Sequence, residues 1–548
     1  MADPTQVLTF AEYKSQHGSE QKQRGSKRPK CAKAYNPALE PTPNHPWFDL
    51  HRTEKDQEVR DIVDMVVGIA QNARPEDKEL ASLLKLGNEL REILIAASSE
   101  VATVGQQGMG KSLMVNALTN RRNLSKTSAR GGACTASAIK YGLKPGVSDT
   151  EESYDASVQF MDDNCLKEII TEHARRYHHF HFGTVDPDCQ FEEERAAHTA
   201  EDFFSLVFNA KNDHEAKTTL KGLLSHNSMA GEDFVGAVLS EAHERIGETA
   251  ADGNRAIKFE GIGIESLMKQ VEQYVSDVKD FSSLWPLVDN VTILTSSVLA
   301  RNGVVLVDLP GLGDLNQSRT AATNTVRRKA QFEIIAAKSE RVTTEEVVDQ
   351  QIKQSIRAHG AKNTILVLTK IDEYFLDVHS VETEIQESQA HPFPLIKDYI
   401  QETDEVIASL EIDPYIDDAG DQVDLLYLYQ EHLTRIAQYA FIRARAADME
   451  KEMRTKYLSE DPNPIHVFSI SASMYLDWLK ERQKQRPFLT PEMTGVPALR
   501  TFLLSLTAEN NYQAYRDHIF IKLPLLVDKV RRIAHNEKKD NAYMVTRP

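Results

Sequence analysis

The 548-residue sequence predicts an α/β fold with a doubly wound, mostly parallel sheet, a long helical insertion and flanking helices. Short apolar segments alternate with segments of helical periodicity, which is typical of a sheet with helices on both faces. Gly and Pro residues separate many of these segments. The expected strands are residues 100–104, 136–141, 156–161, 291–296, 304–308, 364–369 and 465–469.

The same periodicity predicts the helices. Before the first strand, apolar residues recur at helical spacing from residue 54 to 70, and a second helix is expected at 75–95. A helix should follow the first strand at 111–123. Between about 162 and 286 the chain is acidic and almost entirely of helical pattern, which predicts an insertion within the sheet domain. Its main helices are expected at 191–210, 230–246 and 264–278.

These patterns divide the chain into successive units. Residues 1–45 are expected to form a disordered basic tail, 46–98 flanking helices, and 99–507 the sheet domain with its insertion. Residues 508–548 should form a C-terminal helix. The pattern leaves two alternatives for that helix: it is the start of a truncated helical stalk, or it packs back onto the helices that precede the sheet domain.

The tail contains a local cluster of positive charge in a chain whose formal net charge is −18. This cluster suits an import signal, a contact for anionic lipid or nucleic acid, or simply a solvated tail. The overall acidity argues against a surface that binds nucleic acid broadly, so nucleic acid is not an expected partner. The basic residues are Lys22, Arg24, Lys27, Arg28, Lys30 and Lys33.

Composition predicts a soluble globular protein of a reducing compartment. The chain is 41% hydrophobic and 27% charged, and no apolar run approaches the roughly 20 residues that span a bilayer. Four cysteines in a chain of this length are not typical of a disulfide framework, and the first twenty residues are mostly polar, unlike a secretory signal. We therefore expect a cytoplasmic or nuclear protein.

The most informative segment is residues 105–112, which match the pattern Gly-x-x-x-x-Gly-Lys-Ser between a strand and a helix. Glycines allow successive backbone amides to surround phosphates, Lys111 offers a positive charge to them, and Ser112 offers a hydroxyl to Mg²⁺. The nucleotide contacts expected here are Gly105, Gln106, Gln107, Gly108, Met109, Gly110, Lys111, Ser112 and Leu113.

Downstream, an apolar strand ends in Asp308, followed by Leu309, Pro310 and Gly311. A carboxylate at this point suits the water shell of Mg²⁺, and Gly311 leaves its amide accessible to a terminal phosphate. A single Asp after a strand is more often a turn or cap residue, so the prediction depends on the phosphate loop that precedes it.

Base recognition is expected at Thr369, Lys370 and Asp372 after another apolar strand. A carboxylate there can accept from N1–H and the exocyclic amine of guanine, and the Lys370 stem can lie along the base. This segment predicts GTP, with ATP as the alternative substrate. Ser471 and Ala472 suit a loop whose backbone amide meets the guanine carbonyl.

A threonine between the phosphate loop and Asp308 is expected to close on Mg²⁺ and the terminal phosphate. Thr135, at the end of a glycine-containing loop, is the favoured candidate. The alternatives are Ser125, Thr127 and Ser128.

In this order, the motifs resemble the GTPase domain of dynamin-like large GTPases. These proteins typically have the sequence motif found here as Asp308-Leu309-Pro310-Gly311. The loop around Thr135 is similar to the corresponding loop of the branch described as nuclear GTPases. The resemblance covers about residues 99–506, with the insertion poorly matched. It implies a P-loop GTPase domain that binds GTP or GDP with Mg²⁺, packed flanking helices and a GTP-dependent homodimer through the heads. A stalk is not evident, so membrane remodelling is not implied.

The resemblance also bears on hydrolysis. Leu312 occupies the position where small switch GTPases place a water-orienting glutamine, so another residue must act. Gln107 matches the position from which dynamin-like proteins supply a catalytic glutamine, although Gly108 replaces their cation-holding serine. The expected catalytic residues are Gln107, Lys111 and Thr135, and the Mg²⁺ ligands are Ser112, Thr135 and, through water, Asp308. The alternative is a GTP-binding scaffold with little hydrolysis.

Two other groups of residues carry weaker hypotheses. Arg130 and Arg319 lie near the expected mobile loops and suit either charge stabilisation or solvation. A cluster of cysteines and histidines at 165–189 lacks the paired spacing of a zinc site, so a histidine-rich helix end is the better interpretation. Its members are Cys165, His173, His178, His179, His181 and Cys189.

Overall fold

A computed structural model describes seventeen segments of the chain. They are residues 6–21, 35–50, 52–71, 78–91, 98–125, 137–144, 153–186, 189–210, 214–225, 232–250, 255–276, 283–311, 326–340, 342–376, 378–412, 419–480 and 487–532.

The described residues contain a nine-stranded sheet of order β4-β3-β5-β2-β6-β1-β7-β8-β9. Its pairs β1–β6, β1–β7, β2–β5, β7–β8 and β8–β9 are parallel, and β2–β6, β3–β5 and β3–β4 are antiparallel. The mostly parallel α/β sheet is therefore confirmed. The strands are β1 (Ser99–Val104), β2 (Ala138–Leu143), β3 (Tyr154–Phe160), β4 (Ala256–Ile262), β5 (Val288–Thr295), β6 (Val304–Asp308), β7 (Phe332–Lys338), β8 (Thr364–Thr369) and β9 (His466–Ser469).

Helices cover both faces of this sheet, because its central strands are apolar on both sides. On β1, Val101 packs in a cluster with Met114 of the following helix, whereas its neighbour Ala102 packs on the opposite face with Ile352. Every residue of β8 is buried. The long apolar runs of the sequence thus mark strands at the centre of a layered domain.

No described helix has both the length and the apolar composition to cross a membrane. The described α-helices include Phe10–Gln21, Pro46–Asp49, Arg52–Gln71, Lys78–Leu90, Lys111–Leu118, Asp163–Phe182, Gln190–Val207, His214–Leu224, Glu232–Thr249, Ile264–Val275, Val298–Arg301, Glu346–His359, Val378–Glu387, Phe393–Ile412, Ala419–Lys456, Ala472–Trp478 and Val496–Asp517.

Strand β7 was not predicted, although it lies beside β1 in the middle of the sheet. The apolar run is interrupted by Glu333, whose carboxylate is fully buried and accepts two hydrogen bonds from Arg327 at 2.5 and 3.1 Å. In the sequence, a charged residue at this position suggests a solvent-exposed position. Its partner, six residues earlier, allows it to be buried.

The insertion is less uniformly helical than predicted. Its helices include Asp163–Phe182 and Gln190–Val207, but β4 returns to the sheet and pairs antiparallel with β3. Lys258 and Glu260 are exposed on this edge strand, so its apolar pattern is short and weak. Phe203 and Phe204 pack in the same core cluster as the sheet residues, so the insertion shares the core of the domain.

The N-terminal region differs from the predicted disordered tail wherever it is described. Phe10–Gln21 is a helix whose Tyr13 is buried against Tyr429 and Leu433 of the helix Ala419–Lys456. Residues 35–50 lie on the sheet domain, with Trp47 only 2% exposed. A few aromatic anchors in a polar sequence hold these segments, and such anchors leave no periodic pattern. The basic cluster at 22–33 lies outside the described residues.

The flanking helices and the C-terminal region pack together. Val63 and Val67 of Arg52–Gln71 and Leu83 of Lys78–Leu90 form one cluster with Leu523 and Leu526. The predicted break at residue 507 is not a helix end, because Val496–Asp517 continues through a π-helical turn at His518–Lys522. Of the two alternatives for the C-terminal helix, the structure shows packing onto the preceding helices.

Adjacent leucines offer a matched test of this packing. Leu526 is fully buried, whereas Leu525 is 48% exposed. We expect Leu526→Ala to destabilise the folded chain by roughly 2–5 kcal/mol, because it leaves a cavity. Leu525→Ala should change stability by less than about 0.5 kcal/mol. Denaturant unfolding of both variants measures the difference, and equal stabilities would contradict the packing described.

Candidate functional site

The phosphate loop connects β1 to the helix Lys111–Leu118 and depends on glycine at several positions. Gly105, Gly108 and Gly110 have φ values of +149°, +80° and +82°. A Cβ on Gly105 would lie 2.5 Å from the carbonyl oxygen of Ala336 in β7, so no side chain fits there. Gly110 precedes the helix and gives it no side-chain cap. The first-turn amides therefore face an open loop, as an anion site requires.

Lys111 lies across this loop. Its side chain is 9% exposed, and Nζ donates to the carbonyl oxygens of Gly105 at 2.9 Å and Gln106 at 3.3 Å. Gln107 and Gly108 are exposed at the rim of the loop. The ammonium group is thus already positioned inside the curve of the loop.

The other predicted loop residues occupy its two sides. Met109 is half-buried, and its carbonyl accepts a hydrogen bond from Thr369 at 2.9 Å. Leu113, also half-buried, packs against the large core cluster, so its side chain supports the helix.

Asp308 ends β6 directly beside the phosphate loop and is fully buried. Its Oδ2 accepts hydrogen bonds from Ser112 Oγ at 3.1 Å and Ser125 Oγ at 3.0 Å, and Thr103 Oγ1 lies 3.4 Å from Oδ1. Burial raises the pKa of the Asp308 carboxyl above its ordinary value, and the charge of Lys111 opposes that rise. A carboxylate and a hydroxyl so close together are oxygen donors of the kind that Mg²⁺ prefers.

Ser125, an alternative to Thr135 in the sequence analysis, is attached here by its backbone as well. Its N–H donates to Asn116 Oδ1 at 2.6 Å, and its carbonyl accepts from Asn116 Nδ2 at 2.8 Å. Asn116 belongs to the helix that follows the phosphate loop. Ser125 therefore connects that helix to the Asp308 carboxylate.

Gly311 completes this side of the site. A Cβ at this position would lie 3.2 Å from the backbone nitrogen of Gln107, which shows how closely the two backbones approach. The structure thus brings Gly311 next to the phosphate loop, as the sequence order suggested.

The predicted base-binding segment follows β8. Thr369 is buried and is held by Ala337 as well, whose carbonyl lies 3.1 Å from Thr369 Oγ1. Lys370 adopts a φ of +63°, and its Nζ lies 3.6 Å from a Glu373 carboxylate oxygen. The strand end that carries Asp372 is therefore fixed directly to the phosphate loop.

Asp372 has one carboxylate oxygen engaged and one that is not. Ser473 Oγ donates to its Oδ2 at 3.2 Å. Its Oδ1 is buried and has no hydrogen-bond partner among the described residues. This oxygen can therefore accept a hydrogen bond from a ligand or from water.

The loop after β9 lies beside Asp372. Ser471 is fully buried, its N–H donates to the Thr494 carbonyl at 2.8 Å, and its side chain caps the helix Ala472–Trp478. Ala472, at the first position of that helix, is 8% exposed. The structure therefore brings Ser471, Ala472 and Asp372 together.

Several predicted residues lie outside the described part of the chain. They are Thr127, Ser128, Arg130, Thr135, Leu312 and Arg319.

Among the described residues, no group of three or more His, Cys, Asp or Glu side chains is arranged to hold a metal ion. His173 is fully buried and stacks on Phe203 with ring centroids 4.4 Å apart. His179 and His181 lie in the last turn of the helix Asp163–Phe182, so the segment includes a helix end.

A family model described as "Dynamin family" matches residues 101–371, which include the phosphate loop, Asp308 and the strand that leads to Asp372. This chain belongs to the dynamin-like large GTPases. The family model covers residues 101–371 and does not extend to the segments before and after them.

Curated relatives are more distant. The chain is 23% identical to the nuclear GTPase SLIP-GC of Mus musculus over 398 residues, which is 66% of this chain and 46% of the relative. It is 22% identical to the nuclear GTPase SLIP-GC of Homo sapiens over 287 residues, which is 50% of this chain and 32% of the relative. The chain thus matches less than half the length of each.

A solved structure of an oligomerised bacterial dynamin pair, described as sensing and tethering membranes, is 14% identical. The match covers 90% of this chain and 58% of that chain, with a TM-score of 0.39.

Sequence patterns did not assign three polar residues that the structure places at this dynamin-like site. Thr103 is a polar residue within the apolar strand β1, and this break in the apolar pattern could have indicated a site residue. Asn116 lies on the buried face of the phosphate-loop helix, where an amide is unexpected. Ser473 lies two residues after Ser471, but its contact with Asp372 spans 101 residues and leaves no local pattern.

The close approach of Gly105 to β7 generates a prediction. Gly105→Ala should destabilise the chain by roughly 1–3 kcal/mol, because its φ and the Ala336 carbonyl both oppose a side chain. Gly263→Ala is the control, since Gly263 has φ −64° and a Cβ there would meet nothing within 4 Å. Thermal unfolding measures both. Equal stability of the two variants would contradict the loop geometry.

Proposed function

We propose that this chain binds GTP with Mg²⁺ and hydrolyses it to GDP and phosphate. The observation that carries the proposal is the connection between its two recognition elements. Thr369 Oγ1 bonds the Met109 carbonyl at 2.9 Å, so the phosphate loop and the strand end that presents Asp372 are fixed to each other. One nucleotide of suitable length can then contact both.

The buried Oδ1 of Asp372 supports guanine as the base. Guanine presents two donors, N1–H and the exocyclic amine, to a carboxylate, whereas adenine presents an acceptor at N1. Ser473 holds the other oxygen, so the carboxylate is oriented before the base arrives. ATP would leave the buried oxygen without a donor, which costs binding free energy.

Ser112 and Asp308 fit an Mg²⁺ site by donor chemistry and burial, and we propose Thr135 as a further ligand. The ion would supply positive charge that polarises the phosphate oxygens and favours the displacement. Ser125 and Thr103 orient the carboxylate through the hydrogen bonds described above. When a nucleotide binds, the Lys111 ammonium group would donate to phosphate oxygens in place of the loop carbonyls.

For the attacking water we propose Gln107, together with the backbone near Thr135. Gln107 is exposed at the rim of the loop, beside Gly311, where a side-chain amide can both donate to and accept from a water molecule. This exposure also suits completion of the site by a second head. We therefore propose a GTP-dependent homodimer, as the family resemblance implies.

A nuclear or cytoplasmic location accompanies this proposal. The relatives named nuclear GTPases favour the nucleus.

The proposal is tested by GTP turnover measured against protein concentration for wild type, Lys111→Ala and Gln107→Ala. We expect turnover per molecule to rise with concentration in wild type. Gln107→Ala should lower kcat by about a hundredfold with GTP affinity unchanged, because it removes water orientation alone. Lys111→Ala should bind GTP more weakly, because it removes the positive charge at the phosphates.

Each result decides between specific alternatives. Equal turnover in wild type and Gln107→Ala would exclude the proposed role of Gln107. Tight GTP binding by wild type without turnover would favour the scaffold alternative. Turnover per molecule that is independent of concentration would exclude activation by dimerisation.

A further inference from the structure

The described N-terminal residues 35–50, here called the strap, lie across two helices of the GTPase domain. The Tyr35 N–H donates to the Trp478 carbonyl at 2.9 Å, at the end of the helix Ala472–Trp478. Thr501 of the helix Val496–Asp517 donates to the Pro41 carbonyl at 2.9 Å. The Trp47 indole donates to Asn302 Oδ1 at 2.8 Å. The strap therefore has contacts along its whole length.

Arg500 lies beneath the centre of the strap. It is 3% exposed and forms an ion pair with Glu40 of the strap. Both side chains are more than nine-tenths buried, so each charge depends on the other. Removing one partner would leave an uncompensated charge inside the domain.

The guanidinium of Arg500 also contacts the end of the phosphate-loop helix. Its nitrogens donate to the carbonyls of Ala117 at 2.5 Å and Leu118 at 3.0 Å, and to Asn120 Oδ1 at 2.7 Å. The last carbonyls of a helix lack intrahelical partners and carry the negative end of its dipole. Arg500 thus fixes the helix whose opposite end forms the phosphate loop.

The same charged pair contacts the helix at the base site. The Tyr475 hydroxyl lies 2.6 Å from Glu40 Oε1 and accepts from Arg500 Nη1 at 3.0 Å. Tyr475 is fully buried on the helix that begins at Ala472, one of the proposed base contacts. Burial raises the pKa of Tyr475, so the hydroxyl stays protonated and can donate.

We propose that Arg500, held by Glu40, is a positioning residue that sets the distance between the phosphate loop and the loop after β9 with Ser471 and Ala472, here called the guanine loop. The strap would then act on the nucleotide site through the phosphate-loop helix and the helix Ala472–Trp478. This inference rests on the proposed function, because it needs a ligand that contacts both loops.

Loss of the Arg500–Glu40 ion pair should therefore weaken the binding of a ligand that contacts both loops more than the binding of a ligand that contacts only one. GDP carries both base and phosphates, whereas guanosine engages only the guanine loop and inorganic pyrophosphate only the phosphate loop. A general loss of folding would weaken all three equally. The ratio of their affinities thus separates positioning from stability.

The experiment measures GDP affinity by fluorescence for wild type and Glu40→Gln in the full chain, with guanosine and pyrophosphate as competitors. Glu40→Gln keeps the size of the side chain and removes its charge. GDP affinity should fall by about tenfold, the effect of one charged hydrogen bond, with guanosine and pyrophosphate little changed. Tyr475→Phe removes one hydroxyl and provides a milder variant.

Thr501→Val is the matched control, because it removes a hydrogen bond to the strap at Pro41 and leaves the groups that bond Arg500 unchanged. It should bind GDP as wild type does. Unchanged GDP affinity in both Glu40→Gln and Tyr475→Phe would overturn the inference, as would an equal loss for all three ligands. If wild type does not bind GDP, the proposed function fails as well, which distinguishes the two failures.

Discussion

The site depends on the contact between the phosphate loop and the strand beside it. Gly105 approaches the Ala336 carbonyl so closely that only hydrogen fits at its Cα, and Thr369 ties the Met109 carbonyl to the end of β8. The backbone of the loop is therefore fixed by the sheet. Because β1, β6, β7 and β8 are parallel, the functional residues that follow them meet at one edge.

Buried polar groups also orient the two carboxylates of the site. Asp308 is oriented by hydroxyls from β1, the phosphate-loop helix and Ser125. Asp372 is oriented by Ser473 and retains one buried oxygen for a ligand. Each carboxylate is thus held by hydrogen bonds from neighbouring hydroxyl groups. Such preorganisation lowers the cost of ordering the site when a ligand binds.

In the structure Asp308 ends β6, Asp372 follows β8 and Lys111 begins the helix after β1. These are the positions relative to strands and helices that the sequence predicted. The sequence did not predict β7, because buried Glu333 resembles a surface residue until Arg327 is known to pair with it. Arg500 was equally hidden, since its partner Glu40 is 460 residues away. Local patterns do not record contacts between distant segments of the chain.

The central claim is that Asp372 selects a guanine nucleotide at this phosphate loop. The most direct measurement is competition by GTP and by ATP for bound fluorescent GTP, with Mg²⁺, in wild type and Asp372→Ala. The account predicts that ATP competes at least about a hundredfold more weakly than GTP in wild type, since a buried acceptor would lose its donor. It predicts that this preference disappears in Asp372→Ala. Equal competition by ATP and GTP in wild type would contradict it.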